Sequence, residues 1–139
     1  MINITRLFDF PYYQLEQFNI SDALVTKYNG VWEKTSSEEY IAKANAVSRA
    51  LLRMGVQQDD KIAVISSNNR TEWNIMDIGV LQVGAQTVPI YPTISETDYE
   101  YILNHAEARI CIVSDVKLYE KVKNLKGKVS CLQEIYTFD

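Results

Sequence analysis

The sequence predicts an α/β fold with a mostly parallel sheet and helices on both faces. Residues 61–92 have the pattern of a strand, a polar turn, an apolar helix and a second strand. Strands and helices then alternate regularly from residue 36 onward, which is typical of a parallel sheet. A right-handed crossover through the helix makes the two strands of residues 61–92 parallel neighbours.

The part of the chain before residue 36 predicts a β-hairpin. Residues 19–35 carry two β-rich runs joined by Asn29 and Gly30, a pair that readily takes the positive φ angles of a type I′ turn. Residues 1–18 are rich in aromatic side chains, and we expect a packed leading arm there rather than a folded unit. The predicted organisation is one subdomain over residues 1–139, in which the hairpin precedes an α/β layer over residues 36–139.

Capping signals mark the predicted helices. Ser36 and Glu39 have the spacing of a capping box, and Gly55 supplies a left-handed cap where that helix ends. Ser95 begins a later helix, and Asp115 introduces the next one. The predicted strands are residues 61–66, 86–91, 109–113 and 130–138.

Composition limits the partners that we expect. The chain has 139 residues, a net charge of -4 and 47% hydrophobic residues, enough for one globular domain. The negative charge argues against a broad nucleic-acid-binding face, because phosphate binding needs clustered cations. The sequence shows no signal-peptide pattern and no apolar run of the ~18 residues that a bilayer requires. We therefore expect a cytoplasmic protein, with Cys111 and Cys131 as buried free thiols.

The turn over residues 66–72 follows a predicted strand and precedes a helix, the place where parallel sheets usually present ligand-binding groups. It could hold an anion, or Asn69 and Glu72 could cap the helix, since they have cap spacing. Neither strand-to-helix turn contains a glycine-rich phosphate loop, so independent nucleotide binding is not expected.

The second turn contains Tyr91, Pro92 and Thr93, whose polar atoms could line a cleft. Pro92 with a cap at Ser95 is equally consistent with an ordinary connection from strand to helix. Pro89 lies within the preceding strand. Because proline cannot donate to a strand ladder, we predict locally distorted or one-sided pairing at this position.

Other polar residues have simpler explanations. His105 lies near a helix end, where its charge would favour the helix dipole. Asp59 and Asp60 precede the first central strand instead of following it, which excludes a phospho-acceptor site of the receiver-domain type. A basic stretch comprises Lys117, Lys121, Lys123, Lys126 and Lys128. This stretch is either a solvated face or a contact for a phosphate-bearing partner.

Three segments together resemble adenylate-forming enzymes, in particular the long-chain fatty acid–CoA ligases. They are residues 60–73 (DKIAVISSNNRTEW), residues 84–93 (GAQTVPIYPT) and residues 101–108 (YILNHAEA). The resemblance implies the amino-terminal part of the large domain in that family. It also implies a two-step reaction, in which a carboxylate and ATP form an acyl-adenylate with the help of Mg²⁺, and CoA then displaces AMP to give the thioester.

The resemblance also indicates what the chain lacks. The Ser/Thr/Gly-rich phosphate loop, the later Thr-Glu segment and the lysine-bearing carboxy-terminal domain of the family are not in the sequence. We therefore expect a fragment of a longer enzyme that is inactive alone, with no catalytic residue and no metal ligand of its own. Tyr91, Pro92 and Thr93 would then lie at the edge of the CoA cleft.

The partners implied for the parent enzyme are a fatty acid, ATP and CoA, with no nucleic acid. Family analogy adds a homodimer and a peripheral membrane contact that supplies substrate. The alternative is a free-standing α/β module without an enzymatic parent, which would use its acidic surface or its lysine helix to bind a protein.

Overall fold

A computed structural model describes residues 3–139 of the chain. The chain forms two compact units. Unit 1 contains the described residues up to Val56 together with Asn69–Val83, and unit 2 contains Gln57–Asn68 and Gly84–Asp139. The predicted grouping of residues 1–139 into one subdomain stays a prediction.

Unit 1 combines helices with a β-hairpin. The leading residues fold into a short 3-10 helix and an α-helix, although the sequence predicted only an arm; the first two residues of that arm lie outside the described part. Pro11 lies in the first turn of the α-helix, where its missing N–H costs nothing. The elements are a 3-10 helix (Leu7–Asp9), α1 (Phe10–Gln17), β1 (Leu24–Tyr28), β2 (Val31–Thr35), α2 (Ser37–Arg53) and α3 (Thr71–Gln82).

The hairpin and the α2 caps form as predicted. Strands β1 and β2 pair antiparallel, and Asn29 and Gly30 between them have φ angles of 49° and 86°. Glu39 donates its amide N–H to Ser36 Oγ at 3.2 Å, and its carboxylate accepts the Ser36 amide at 2.8 Å. Gly55 follows α2 with a φ of 74°. Local sequence signals therefore determine both features.

Helices α2 and α3 approach closely at Gly79. A Cβ atom added to Gly79 would lie 2.5 Å from Val47 Cγ1 and 3.1 Å from the carbonyl oxygen of Ala44. Beside this contact, Ser48 Oγ donates to Gln82 Oε1 at 2.5 Å, and Gln82 Nε2 donates to the Tyr12 hydroxyl at 3.0 Å. The glycine thus permits a helix contact that polar side chains then reinforce.

Unit 2 contains a four-stranded sheet in which every neighbouring pair is parallel. The strand order is β4-β3-β5-β6. This confirms the predicted α/β class, its parallel sheet and the parallel pairing of the two strands in residues 61–92. The elements are β3 (Lys61–Ile65), β4 (Gln86–Ile90), α4 (Glu96–His105), β5 (Ala108–Val113), α5 (Val116–Val122), a 3-10 helix (Lys123–Gly127) and β6 (Glu134–Thr137).

Pro89 lies in β4, which is an edge strand among the described residues. The one-sided pairing that Pro89 predicted is confirmed. The β3–β4 register nevertheless runs without a break from Lys61↔Gln86 to Ile65↔Ile90, so no register shift accompanies the proline. The irregularity lies instead between Lys61 and Ile62 in the β3–β5 pairing. An edge strand tolerates a missing donor on its open side, which explains the regular ladder.

The core of unit 2 forms where one face of the sheet meets α4 and α5. Both faces of β3 and β5 are buried, which explains their continuous apolar runs. Cys111 is a buried free thiol as predicted, whereas Cys131 is only half-buried. The main core residues on the helix-covered face are Ala63, Ile65, Ile90, Tyr99, Leu103, Cys111, Val113, Leu118, Val122 and Leu125.

Candidate functional site

The carboxyl ends of β3, β4 and β5 meet at one edge of the sheet in unit 2, because all three strands are parallel neighbours. Ser66 and Ser67 follow β3, and Ser114 and Asp115 follow β5. The turn with Tyr91, Pro92 and Thr93 follows β4. This edge therefore carries the polar groups of unit 2 that the fold places best for a ligand.

Ser67, Ser114 and Asp115 form a closed hydrogen-bond network. The Ser67 amide donates to Ser114 Oγ at 2.9 Å. The hydroxyls of Ser67 and Ser114 both donate to Asp115 Oδ2, at 2.8 and 2.6 Å. Asp115 Oδ1 accepts the Leu118 amide at 2.9 Å and so caps α5. The network joins two strand ends to the start of a helix.

These donors set the charge of Asp115. Burial raises its pKa, but the hydrogen bonds from Ser114, the Leu118 amide and Ser67 outweigh burial, so the pKa lies below its ordinary value. The carboxylate is therefore ionised at neutral pH, and both of its oxygens accept hydrogen bonds from these donors. An ionised, saturated carboxylate supports the loops and is poorly suited to act as a general base.

The turn after β4 is open to solvent at its side chains and fixed at its backbone. The Tyr91 side chain is 81% exposed, and Thr93 is exposed as well. The Tyr99 hydroxyl donates to the Tyr91 carbonyl at 3.1 Å. Lys121 Nζ donates to the carbonyl of Pro92 at 3.2 Å and to that of Ile94 at 2.6 Å. Ser95 caps α4, as predicted, by accepting the Asp98 amide at 3.2 Å.

The predicted role of Asn69 as a helix cap is wrong. Arg70 is the N-cap of α3, and its side chain makes no cap hydrogen bond. The hydroxyl of Thr26 on β1 accepts the Thr71 amide at 2.9 Å instead. A tertiary contact from the hairpin thus replaces the local cap that the spacing indicated.

Glu72 is occupied by two donors within unit 1. Its carboxylate accepts the Arg70 Nε–H at 2.8 Å and the Tyr28 hydroxyl at 2.7 Å. Burial raises the pKa of Glu72, but these donors outweigh burial and lower the pKa below its ordinary value. The pair Arg70–Glu72 is therefore structural.

The basic stretch is a solvated face, as one of its two interpretations held. Lys126 pairs with Glu134 at 2.8 Å, and Lys128 pairs with Glu96 at 2.8 Å. Lys123 pairs with Glu120. Because Lys123, Lys126 and Lys128 are exposed and matched with carboxylates, these three offer little free positive charge to a phosphate.

Two further candidates have local partners. His105 ends α4, and its ring stacks on Tyr101 with centroids 5.7 Å apart. Asp60 accepts a hydrogen bond from Arg109 Nη1 at 2.7 Å at the amino end of the sheet, away from the carboxyl edge. Both arrangements are structural.

A metal site needs a group of ligand side chains, and a membrane span needs a long apolar helix. Residues 3–139 contain no group of three or more His, Cys, Asp or Glu side chains that could hold a metal ion. No helix in that range is long and apolar enough to cross a membrane.

Sequence reasoning missed the links between the strand ends. It identified residues 66–72 and 91–93 separately, but it did not connect Ser67 with Ser114, or Lys121 with the second turn. A weak signal exists, since Ser114 and Asp115 follow a strand as Ser66 and Ser67 do. Only the strand order shows that β3 and β5 are neighbours.

Comparison with known proteins identifies relatives over most of the chain. A long-chain-fatty-acid–CoA ligase, FadD15 of Mycobacterium bovis, is 34% identical over 107 residues, which cover 77% of this chain and 18% of the relative. ACSBG2 of Xenopus laevis, also a long-chain-fatty-acid–CoA ligase, is 25% identical over 84% of this chain and 16% of its own length. The chain thus spans less than a fifth of these relatives.

Solved structures share the fold. The long-chain-fatty-acid–CoA ligase FadD1 of Archaeoglobus fulgidus matches 99% of this chain and 28% of its own, with a TM-score of 0.82 and 20% identity. The anthranilate–CoA ligase AuaEII, solved with anthranoyl-AMP, matches 94% of this chain and 24% of its own, with a TM-score of 0.79 and 21% identity. At this identity the likeness shows the fold alone.

The sequence profile of the AMP-binding enzymes matches residues 14–139, which is nearly the whole chain. This match covers the hairpin, all of unit 2 and every strand of the parallel sheet. The chain therefore belongs to the AMP-binding enzyme family, as its resemblance to adenylate-forming enzymes predicted.

Proposed function

We propose that these residues are the amino-terminal part of an ATP-dependent ligase that joins a long-chain fatty acid to CoA. The observation that carries the proposal is the 34% identity with a long-chain-fatty-acid–CoA ligase over 77% of this chain. The parent enzyme would use ATP and Mg²⁺ to form an acyl-adenylate, and CoA would then displace AMP.

Within this enzyme, residues 3–139 act as a scaffold and contribute no catalytic residue. Two features support this role. Asp115 and Glu72, the carboxylates best placed beside strand ends or turns, are saturated by donors. The exposed turn with Tyr91, Pro92 and Thr93 is the part of unit 2 that we propose as an edge of the CoA cleft.

ATP–pyrophosphate exchange by the protein encoded in the full reading frame tests the proposal. We expect exchange that depends on a fatty acid and is faster with palmitate than with acetate or benzoate. A preference for acetate or benzoate would overturn the long-chain assignment. Absence of exchange with every acid would overturn the ligase, and the interaction module would then be the remaining candidate.

The proposal includes three expectations about the parent enzyme: a cytoplasmic location, a homodimer and peripheral membrane contact for substrate supply. Light scattering of the purified enzyme measures its mass directly, and a monomeric mass would exclude the homodimer. Co-sedimentation with phosphatidylcholine vesicles, with and without anionic lipid, measures membrane contact. An enzyme that stays in the supernatant in both cases would exclude that contact.

A further inference from the structure

Lys121 on α5 differs from Lys123, Lys126 and Lys128 in what it binds. Lys126 and Lys128 pair with carboxylates. Lys121 Nζ instead donates to two backbone carbonyls of the turn after β4, those of Pro92 and Ile94. An ammonium bound to carbonyl oxygens holds the backbone that supplies them.

The same ammonium lies over an aromatic ring. Lys121 Nζ is 4.9 Å from the centroid of the Tyr99 ring, within the range of a cation–π contact. Tyr99 is completely buried, and its hydroxyl donates to the Tyr91 carbonyl at 3.1 Å. Lys121 and Tyr99 therefore form one clamp that fixes three carbonyl groups in four successive residues.

The clamp leaves the side chains of the turn free. Tyr91 is 81% exposed although its carbonyl is fixed, and Thr93 is exposed between the two residues whose carbonyls Lys121 binds. The turn has no glycine, the residue that best allows a bare backbone to approach a ligand, so contact would occur through these side chains. The positions of the Tyr91 and Thr93 side chains then depend on the turn backbone, which Lys121 and Tyr99 hold in place.

We propose that Lys121 is a positioning residue for CoA, acting through the turn with Tyr91, Pro92 and Thr93. This inference rests on the proposed ligase function. Lys121 itself need not touch CoA. Its clamp with Tyr99 holds the turn in the conformation that presents Tyr91 and Thr93, and loss of the clamp weakens the use of CoA more than the formation of the acyl-adenylate.

The full-length enzyme with Lys121→Gln tests the inference. Glutamine removes the charge and one donor, so we expect KM for CoA to rise about fivefold. The rate of ATP–pyrophosphate exchange, which does not involve CoA, is expected to change by less than about twofold. Lys121→Arg keeps the charge and several donors and should restore most of the affinity for CoA.

Lys123→Gln is the matched control, because Lys123 lies on the same segment and pairs with Glu120 instead of the turn. It should leave KM for CoA as in the wild type. Deuterium exchange of residues 91–95 gives a second readout, and we expect faster exchange in Lys121→Gln than in Lys123→Gln.

The outcomes separate the two proposals. Normal ATP–pyrophosphate exchange in Lys121→Gln with an unchanged KM for CoA overturns the role of Lys121 and leaves the ligase intact. An equal loss in both steps, or a failure of Lys121→Arg to restore CoA use, shows a general structural role and also overturns it. A wild-type enzyme without exchange overturns the ligase itself, and the inference with it.

Discussion

At the scale of single residues, Glu72 illustrates a carboxylate whose charge contributes to stability. Its donors, Arg70 and Tyr28, come from the α3 N-terminus and from β1, both in unit 1. Because its pKa is lowered in the fold, the stabilisation is present above the ordinary carboxyl pKa of 4.5 and is lost as the pH falls through the lower, folded value.

We expect Glu72→Gln to destabilise unit 1 by about 1 kcal/mol at neutral pH, a figure reduced for the partial exposure of the carboxylate. Chemical denaturation at several pH values measures the effect. The difference from the wild type should shrink as the pH falls through the lowered pKa of the folded state, where the wild-type carboxylate also becomes protonated. Glu33→Gln, at an exposed position of the hairpin, is the control, and an equal effect there would contradict the prediction.

The two thiols should differ sharply in reactivity. Burial raises the pKa of Cys111 to about 12, so this thiol stays protonated and shielded at ordinary pH. Cys131 is only half-buried. At pH 8, iodoacetamide should label Cys131 first and Cys111 only after unfolding, as mass spectrometry of native and denatured samples will show. Equal labelling of both residues in the native protein would refute the burial of Cys111.

At the scale of elements, the contact between α2 and α3 depends on one glycine. We expect Gly79→Ala to destabilise unit 1 by about 1–3 kcal/mol, because the new methyl group would overlap Val47. Alanine is the better helix former by about 1 kcal/mol, so helix propensity alone predicts the opposite sign. Chemical denaturation measures the free energy of unfolding of both proteins, and the sign of the difference decides between the two expectations.

A double mutant supplies the control for this prediction. Val47→Ala removes the closest overlapping atom, Val47 Cγ1, although Val47 Cβ at 2.7 Å remains, so Gly79→Ala should cost less in the Val47→Ala background than in the wild type. Identical costs in the two backgrounds would show that the overlap with Val47 is not the cause.

Elements with local signals were predictable, and those fixed by tertiary contacts were not. The spacing of Ser36 and Glu39 predicted the start of α2, because the cap lies within four residues. The same logic failed at Asn69, where Thr26 on a distant strand supplies the partner. The links from Ser67 to Ser114 and from Lys121 to Pro92 span 47 and 29 residues. Such contacts depend on strand order, which no local pattern encodes.

At the scale of the whole molecule, the sequence supported the fold class and family better than any site. The family resemblance rests on three segments that mainly form strands, helix α3 and helix α4. It therefore reflects how these elements pack and does not identify a binding site. The described residues offer neither a glycine-rich phosphate loop nor a cluster of metal ligands. Only the turn with Tyr91, Pro92 and Thr93 connects this part of the chain to a proposed substrate.

The 139-residue chain alone should therefore show no saturable ATP binding. Titration calorimetry with and without Mg²⁺ measures this, and the protein from the full reading frame is the positive control. We expect saturable heat only for the longer protein, since phosphate binding needs donors that residues 3–139 do not group together. Saturable binding by the short chain would reveal a phosphate site among these residues.

Pro89 affects whether a strand of another chain can pair with β4. Its unbroken pairing with β3 places the missing N–H on the side of β4 that has no partner strand among residues 3–139. An extended segment approaching that side would find a gap in the row of donors at the fourth residue of a five-residue strand. The proline thus works against unwanted strand addition, and so against edge-to-edge aggregation, without weakening the sheet that contains it.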